Sequence, residues 1–245
     1  MHSQSFCLCL GRAGSSRLSK ALIIFAREPV PGLVKTRLAR DVGEQVAAEL
    51  YAAMLDDVLE KVALLVDVRL LVFWATKEGQ FPFFPAIPRL EMFEQHGADL
   101  GERMANAFAA AFGEGIQECC IIGSDLPDLP LEFVRQAFHM LEEETTDAVL
   151  GPCSDGGYYL LGMRRLCSRL FEDVPWSTSL VLETSLERCR EAGLNVGLLP
   201  EWHDIDTIED LRRLALSSGE TSRTRDLLQH MPAIFHTVTT SGAFS

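Results

Sequence analysis

The sequence predicts an α/β fold in which helices cover both faces of a mostly parallel sheet. Apolar runs typical of buried strands alternate with segments whose apolar residues repeat at helical spacing. The chain has 245 residues, 47% hydrophobic and 23% charged, which fits one domain with a large core. Because neither a repeat nor a linker divides it, we expect a single domain over 20–217. A disordered extension (1–19) is expected before it, and a polar tail (218–245) after it.

The elements follow in a regular alternation along the chain. Apolar and β-branched runs predict strands at about 21–26, 68–74, 90–94, 118–124, 147–151, 158–162 and 195–199. Helical spacing predicts helices at about 41–65, 99–112, 130–144, 179–192 and 208–216. Asp99 and Glu102 are arranged like a capping box at the start of the second helix. Pro130 suits the first position of the third.

The charge balance argues against several classes of partner. Lys and Arg total 22 against 35 Asp and Glu, a net charge of -13. Sequence-independent binding to nucleic acid is not expected, because phosphate backbones attract basic surfaces. No apolar stretch approaches the length needed to cross a bilayer, so no membrane span is expected.

Cysteine usage indicates a reduced, cytoplasmic protein. The seven cysteines are an odd number, and they include no C-x-x-C pair. Cys119 and Cys120 are adjacent in a predicted strand and should therefore point to opposite faces. Structural zinc is not expected, because no cysteine or histidine pair has ligand spacing.

Asp125 is the most informative acidic residue. It follows the predicted strand 118–124, and ligands bind at the carboxyl ends of strands in open α/β sheets. A carboxylate there can hold a metal that a phosphate-bearing ligand also touches. The alternative is a loop aspartate that hydrogen-bonds its own turn.

A basic segment follows the first strand. Three cations, among them Lys35 and Arg37, lie within Pro31–Arg40, close to where a helix begins. Cations near a helix amino terminus oppose its dipole at a cost of about 0.3–1 kcal/mol each, and an anionic ligand would reverse that sign. The alternative is a surface loop paired with Asp41 and Glu44. Arg103, in the first turn of the predicted helix 99–112, raises the same question, with Asp99 as its ordinary partner.

Asp155, Gly156 and Gly157 lie between two predicted strands. Asp-Gly-Gly in this position is an ordinary hairpin signal. The two glycines could also let backbone approach a ligand closely, with Asp155 bonding hydroxyls of an acceptor or sugar.

A second acidic cluster contains Asp204 and Asp206. If this segment is extended, both side chains project to the same face. Asp206 or Thr207 could cap the next helix together with Asp210, which would leave Asp204 unexplained. Asp125 and Asp206 together would give a Mg²⁺ or Mn²⁺ site completed by waters and phosphate oxygens.

Taken in chain order, these motifs resemble those of a known bacterial family. They are Phe25-Ala-Arg-x-Pro-x-Pro-Gly-x-Val-Lys-Thr-Arg-Leu38, Leu100-Gly-Glu-Arg-Met104, Gly123-Ser-Asp-Leu-Pro127, Asp155-Gly-Gly-Tyr-Tyr159 and Asp204-Ile-Asp-Thr207. The family comprises glycosyltransferase-like proteins described as selenodomain-associated transferases, and the resemblance covers about 20–215. It implies the nucleotide-diphospho-sugar transferase (A-type glycosyltransferase) fold, with similarity to molybdenum-cofactor and lactyl-phosphate nucleotidyltransferases.

The resemblance also implies an activity and a set of site residues. Nucleotide phosphates would contact Arg27, Lys35, Arg37 and Arg103. The metal would bind Asp125 and Asp206. The acceptor or sugar would face Asp155, Gly156, Gly157 and Tyr158, with Asp155 as the candidate base. Arg27 departs from the lysine that is frequent in relatives but keeps the charge.

The implied enzyme is a metal-dependent transferase acting on a nucleotide-activated substrate and a small-molecule acceptor. A glycosyltransferase with a nucleotide-diphosphate sugar donor is the leading hypothesis. The first alternative is a nucleotidyltransferase that releases pyrophosphate, against which the missing glycine-rich loop after the first strand weighs. The second alternative is a non-catalytic nucleotide-binding protein.

Overall fold

The computed structural model describes residues 18–76, 87, 89–217 and 222–231. Nearly all of the predicted extension 1–19 lies outside these ranges. Most of the proline-rich loop 81–88 does too, as do 218–221 and 232–245 of the predicted tail.

Seven strands form one sheet in the described part of the chain. They are β1 (Lys20–Arg27), β2 (Val68–Ala75), β3 (Leu90–Glu94), β4 (Glu118–Gly123), β5 (Ala148–Pro152), β6 (Tyr158–Met163) and β7 (Val196–Leu198). Their order across the sheet is β3-β2-β1-β4-β6-β5-β7. β6 runs antiparallel to its neighbours β4 and β5, whereas the other pairs are parallel. This mostly parallel sheet confirms the predicted fold class.

Helices cover both faces of the sheet. They are α1 (Ala39–Val42), α2 (Glu44–Val62), α3 (Leu100–Gly113), α4 (Leu131–Glu142), α5 (Val181–Glu191), α6 (Ile208–Leu216) and α7 (Arg223–Gln229). On one face lie α2 and α4; on the other lie α3, α5 and a 3-10 helix at Ser168–Phe171. In the described ranges, no helix combines the length and apolar character needed to cross a membrane.

Side chains of the central strands contribute to two separate hydrophobic cores. In β1, Leu22 packs toward α2 and α4, whereas its neighbour Ile23 packs toward α3. In β4, Cys120 and Cys119 divide between the two cores in the same way, as the sequence predicts, and both are free thiols. A strand buried on both faces explains why β1 and β4 are continuous apolar runs.

The reversed direction of β6 brings a hairpin to the edge where the parallel strands end. The turn Cys153–Gly157 joins β5 to β6, and its hydrogen bonds confirm the predicted hairpin. The amide of Cys153 donates to Gly157 O at 3.0 Å, and that of Gly156 to Cys153 O at 3.0 Å. Asp155 therefore lies at the same edge of the sheet as Asp125, the edge at which α/β proteins bind ligands.

Helix α7 lies within the segment predicted to be a polar tail, where no helix was predicted. It packs against α2 and α6. Asp57, only 6% exposed on α2, accepts hydrogen bonds from Thr224 N (3.0 Å), Thr224 Oγ1 (2.6 Å) and Arg223 N (2.8 Å). The helix is therefore held by a carboxylate distant in sequence, which local pattern does not reveal.

Asp57→Ala is expected to lower the free energy of unfolding by about 2–3 kcal/mol, because it removes the charged acceptor of these buried donors. Urea denaturation measures this change. Asp56→Ala is the matched control: Asp56 pairs with the exposed Arg223 guanidinium, so a loss below about 1 kcal/mol is expected. Equal losses in the two variants would contradict the anchoring role of Asp57.

Candidate functional site

A lysine bridges two carboxylates at the carboxyl edge of the sheet. Lys35 Nζ donates to Asp125 Oδ2 and to Asp206 Oδ1, each at 2.8 Å. The Lys35 side chain is only 3% exposed, so its charge depends on these partners. The structure thus joins the basic loop and both acidic motifs that the sequence singled out.

The backbone around Lys35 is fixed by packing on either side. Val34 packs with Ala48 and Tyr51, and Leu38 is fully buried among residues of α2 and α6. Between these anchors Lys35 has φ 47°, a left-handed conformation that is uncommon for residues other than glycine. Its carbonyl accepts from Ala39 N at 2.8 Å. The strained conformation is held in place where the ion pairs form, as is typical of functional sites.

Asp125 and Asp206 converge because their loops are joined by backbone. Ile205 N donates to Asp125 O at 3.1 Å, which links the end of β4 to the segment before α6. Thr207 caps α6 in a capping box with Asp210. The cap therefore does not use the carboxylate of Asp206, which is left to contact Lys35.

The ion pairs determine the charge states of these groups. Burial pushes the pKa of Asp125 upward, but the Lys35 ammonium and, further off, the Arg27 guanidinium outweigh it and lower that pKa overall. Burial opposes the charged form of Lys35, yet Asp125 and Asp206 raise the Lys35 pKa above its ordinary value. Lys35 and Asp125 are therefore charged at neutral pH.

Asp204 is a site residue to which the sequence analysis gave no role. Burial, followed by the repulsion of Asp125, raises the pKa of Asp204 to about 7. Its carboxylate also clusters with Cys153 Sγ and Asp155, with one atom of each within 4.8 Å of the others. One sequence signal pointed to Asp204: in an extended segment alternate residues share a face, so Asp204 lies on the same face as Asp206.

The candidate phosphate-binding cations around this centre differ in their exposure and in their hydrogen-bond partners. Arg37 is 70% exposed, with Nη1 3.9 Å from Asp206 Oδ2. Arg103 uses Nε to donate to Gly97 O at 3.2 Å, and its expected partner Asp99 instead caps α3. Within the described ranges, neither Arg27 nor Arg103 forms an ion pair with a carboxylate. In a chain of net charge -13, such cations are available to an anionic ligand.

The hairpin turn carries an exposed carboxylate. Asp155 Oδ1 accepts from Gly157 N at 2.8 Å, which orients the side chain. Gly156 has φ 88°, and a Cβ there would lie 2.2 Å from Ser179 O. The glycine thus makes room for the segment before α5.

Tyr158 follows the turn, and burial raises its pKa. Its hydroxyl lies 4.0 Å from Met104 Sδ, a placement that favours packing on α3 over ligand contact.

Another glycine makes room for the same segment. A Cβ at Gly101 would lie 2.6 Å from Trp176 Nε1.

Tyr51, predicted only as part of a helix, also supports the site. Its hydroxyl bonds with Ser124 Oγ at 2.7 Å and accepts from Arg27 N at 2.9 Å.

The donor set fits a hard divalent cation. Carboxylate oxygens are the ligands that Mg²⁺ and Mn²⁺ prefer, and Asp125 and Asp206 present one each to a shared cation, the Lys35 ammonium. Burial, followed by repulsion from Asp125 that the Lys35 ammonium only partly offsets, raises the pKa of the neighbouring Asp204. The residues present therefore match the ion that the fold family implies.

Comparison with known proteins identifies the family of this chain. Residues 58–178 match the family described as "Uncharacterized protein conserved in bacteria (DUF2064)". A crystal structure from Desulfovibrio desulfuricans G20, described provisionally as a nucleotide-diphospho-sugar transferase, is 36% identical, with a TM-score of 0.82. The match covers 88% of this chain and 96% of that one. The chain belongs to the same family as this structure, with the nucleotide-diphospho-sugar transferase fold. This membership assigns it to the transferases and confirms the family resemblance predicted from the motifs.

More distant structures share the fold of this protein. CMP:2-keto-3-deoxy-manno-octonic acid synthetase, solved with CTP, is 14% identical with a TM-score of 0.50, covering 86% of this chain and 99% of that one. A cytidylyltransferase from Leptospira borgpetersenii is 15% identical with a TM-score of 0.50, covering 92% and 100%. Among curated proteins, no sequence matches this chain.

Proposed function

We propose that this protein is a divalent-metal-dependent glycosyltransferase that uses a nucleotide-diphosphate sugar as its donor. The observation that carries the proposal is the pairing of Lys35 with Asp125 and Asp206 at the carboxyl edge of the sheet. This arrangement combines carboxylates suited to a metal with a cation suited to phosphate, at the edge where α/β folds bind ligands.

The cations of the site would bind the diphosphate. Lys35 and Arg37 already lie beside the acidic pair, and Arg27 is near enough to lower the pKa of Asp125. Arg103 lies in the first turn of α3, where an anion would also gain from the helix dipole. Guanidinium groups bind phosphate oxygens through paired, charge-assisted hydrogen bonds, which orients the leaving group.

Asp125 and Asp206 would hold Mg²⁺ or Mn²⁺. When bound, the ion would neutralise negative charge that develops on the departing diphosphate. The protein's own part is to fix the two carboxylates, through the backbone bond from Ile205 N to Asp125 O and the capped start of α6.

Asp155 is the proposed acceptor-side residue. One carboxylate oxygen is held by Gly157 N, and the side chain is exposed at the edge of the site. It can therefore accept a hydrogen bond from an acceptor hydroxyl and take up its proton. Gly156 and Gly157 shape this turn, while Tyr158 supports it from the core.

The segment after β1 favours glycosyl over nucleotidyl transfer. Nucleotidyltransferase-type phosphate loops use glycine-rich backbone that opens directly into a helix. Here Pro29 and Pro31 follow β1, and the first helix begins only at Ala39. The released product separates the two reactions: a nucleoside diphosphate for glycosyl transfer, and pyrophosphate for nucleotidyl transfer.

A thermal-shift screen with and without Mn²⁺ tests the proposal. At 100 times its Kd, a ligand that binds only the native state adds about 2.7 kcal/mol of stability, or roughly 5–10 °C in Tm at this size. We expect such a shift with one nucleotide-diphosphate sugar, dependent on Mn²⁺.

The other outcomes contradict the proposal in distinguishable ways. A shift confined to nucleoside triphosphates, with pyrophosphate released, would indicate nucleotidyl transfer. Binding without turnover across acceptors would indicate a nucleotide-binding protein. No shift with any nucleotide would reject the site.

A further inference from the structure

We propose that Lys35 is a latch that couples metal binding to phosphate binding: it occupies the metal-binding carboxylates until a phosphate draws it away. The inference rests on the proposed function and concerns the regulation of the same site. Its basis is the contact of one buried ammonium with both carboxylates that would bind the ion.

Lys35 and a divalent ion compete for the same atoms. The ammonium lies 2.8 Å from both Asp125 Oδ2 and Asp206 Oδ1. Mg²⁺ binds carboxylate oxygens at about 2.0–2.1 Å, so an ion shared by these oxygens would take the place of the ammonium. The two cations therefore cannot occupy the position between these two oxygens at the same time.

A displaced Lys35 needs another anion. Its side chain is almost fully buried, and a buried ammonium without a partner is strongly unfavourable. Asp204 and Asp155 are the neighbouring carboxylates to which the ammonium could turn. Their negative charge would, however, also be attracted to the bound metal. The incoming ligand itself supplies a phosphate as the new partner of Lys35. Binding of that phosphate therefore lowers the free-energy cost of replacing Lys35 with a metal ion.

The loop that carries Lys35 suits such a change. Lys35 has φ 47°, a conformation that is retained only while surrounding contacts hold it. Val34 and Leu38 anchor the backbone on either side, so a change of partner would be confined to the Lys35 side chain. Arg37 cannot substitute for it, because its guanidinium is exposed and lies 3.9 Å from only one of the two carboxylates.

Mn²⁺ titration followed by electron paramagnetic resonance tests the latch without an activity assay. We expect Lys35→Met to bind Mn²⁺ alone at least about tenfold more tightly than the wild type, a typical size for coupling between sites. Inorganic phosphate should tighten Mn²⁺ binding to the wild type and have little effect on the variant. Lys35→Gln, uncharged but polar, repeats the test should methionine disturb folding.

Two control variants separate the latch from a general electrostatic effect. Arg37→Met removes a positive charge beside Asp206 without emptying the position between the carboxylates, so its effect on Mn²⁺ affinity should be several-fold smaller. Lys20→Met removes a lysine paired with Glu142 elsewhere and should leave the affinity unchanged. Equal tightening by Lys35→Met and Arg37→Met would overturn the latch.

The outcomes also separate the latch from the proposed function. If Lys35→Met binds Mn²⁺ no more tightly than the wild type, while both bind it with a nucleotide-sugar, the latch is wrong and the metal site stands. If Mn²⁺ binds to no variant, with or without phosphate, the latch falls together with the metal part of the proposed function.

Discussion

Asp125→Asn is expected to weaken metal-dependent nucleotide binding, and any metal-dependent turnover, by at least about 100-fold. The amide retains the size of the side chain and an oxygen that can still accept from Lys35, so the fold should survive. It removes the negative charge that a divalent ion requires of a ligand. Mn²⁺ titration and the thermal shift with the donor nucleotide measure the loss.

Glu118→Gln is the matched control for Asp125→Asn. Glu118 begins the same strand, β4, and therefore lies at the opposite edge of the sheet. We expect this variant to bind Mn²⁺ and nucleotide like the wild type. Unchanged binding in Asp125→Asn would show that the metal is held elsewhere, and the cluster of Cys153, Asp155 and Asp204 would then be the next set to test.

Gly156→Ala is expected to lower the free energy of unfolding by at least about 3 kcal/mol. Two effects add: the left-handed φ of 88°, and a Cβ placed 2.2 Å from Ser179 O. The neighbouring atom belongs to the backbone, so it cannot move aside as a flexible side chain would. Urea denaturation measures the change, and a raised KM for the acceptor should accompany it because Asp155 shares the turn.

Gly115→Ala isolates the first of these effects. Gly115 has φ 89°, nearly the same conformation, but nothing lies within 4 Å of a Cβ built there. Its substitution should cost only about 1–2 kcal/mol, the usual penalty of the left-handed region. If the two variants were equally destabilised, the segment at Ser179 would have to be free to shift, and the close contact would carry no energetic weight.

The sequence predicts the elements well where the deciding forces are local. The strand Leu90–Glu94 and the helix Ile208–Leu216 match their predicted bounds, because periodicity and capping are properties of neighbouring residues. Helix α7 was missed for the opposite reason. The charged acceptor for its first turn is Asp57, 166 residues from Arg223, which no local pattern reveals.

The candidate site shows the same division. Motif chemistry singled out Lys35, Asp125 and Asp206, but their direct contact depends on the folded sheet. Gly156 was expected to let backbone approach a ligand, yet the atom that approaches it is Ser179 O. In a sequence, a glycine that is required for close packing between distant segments looks the same as a glycine that lets a ligand approach.

The two bonds of Lys35 have a consequence for biosynthesis. Its partners follow it by 90 and 171 residues, so the centre is completed only when nearly the whole described chain exists. At ribosomal rates of about 5–20 residues per second, the second partner is made roughly 10–30 s after the lysine. Over that interval the nascent chain contains Lys35 but lacks the second carboxylate that pairs with it. This centre therefore requires a chain that extends at least to Asp206, and chains that terminate before Asp206 would lack it.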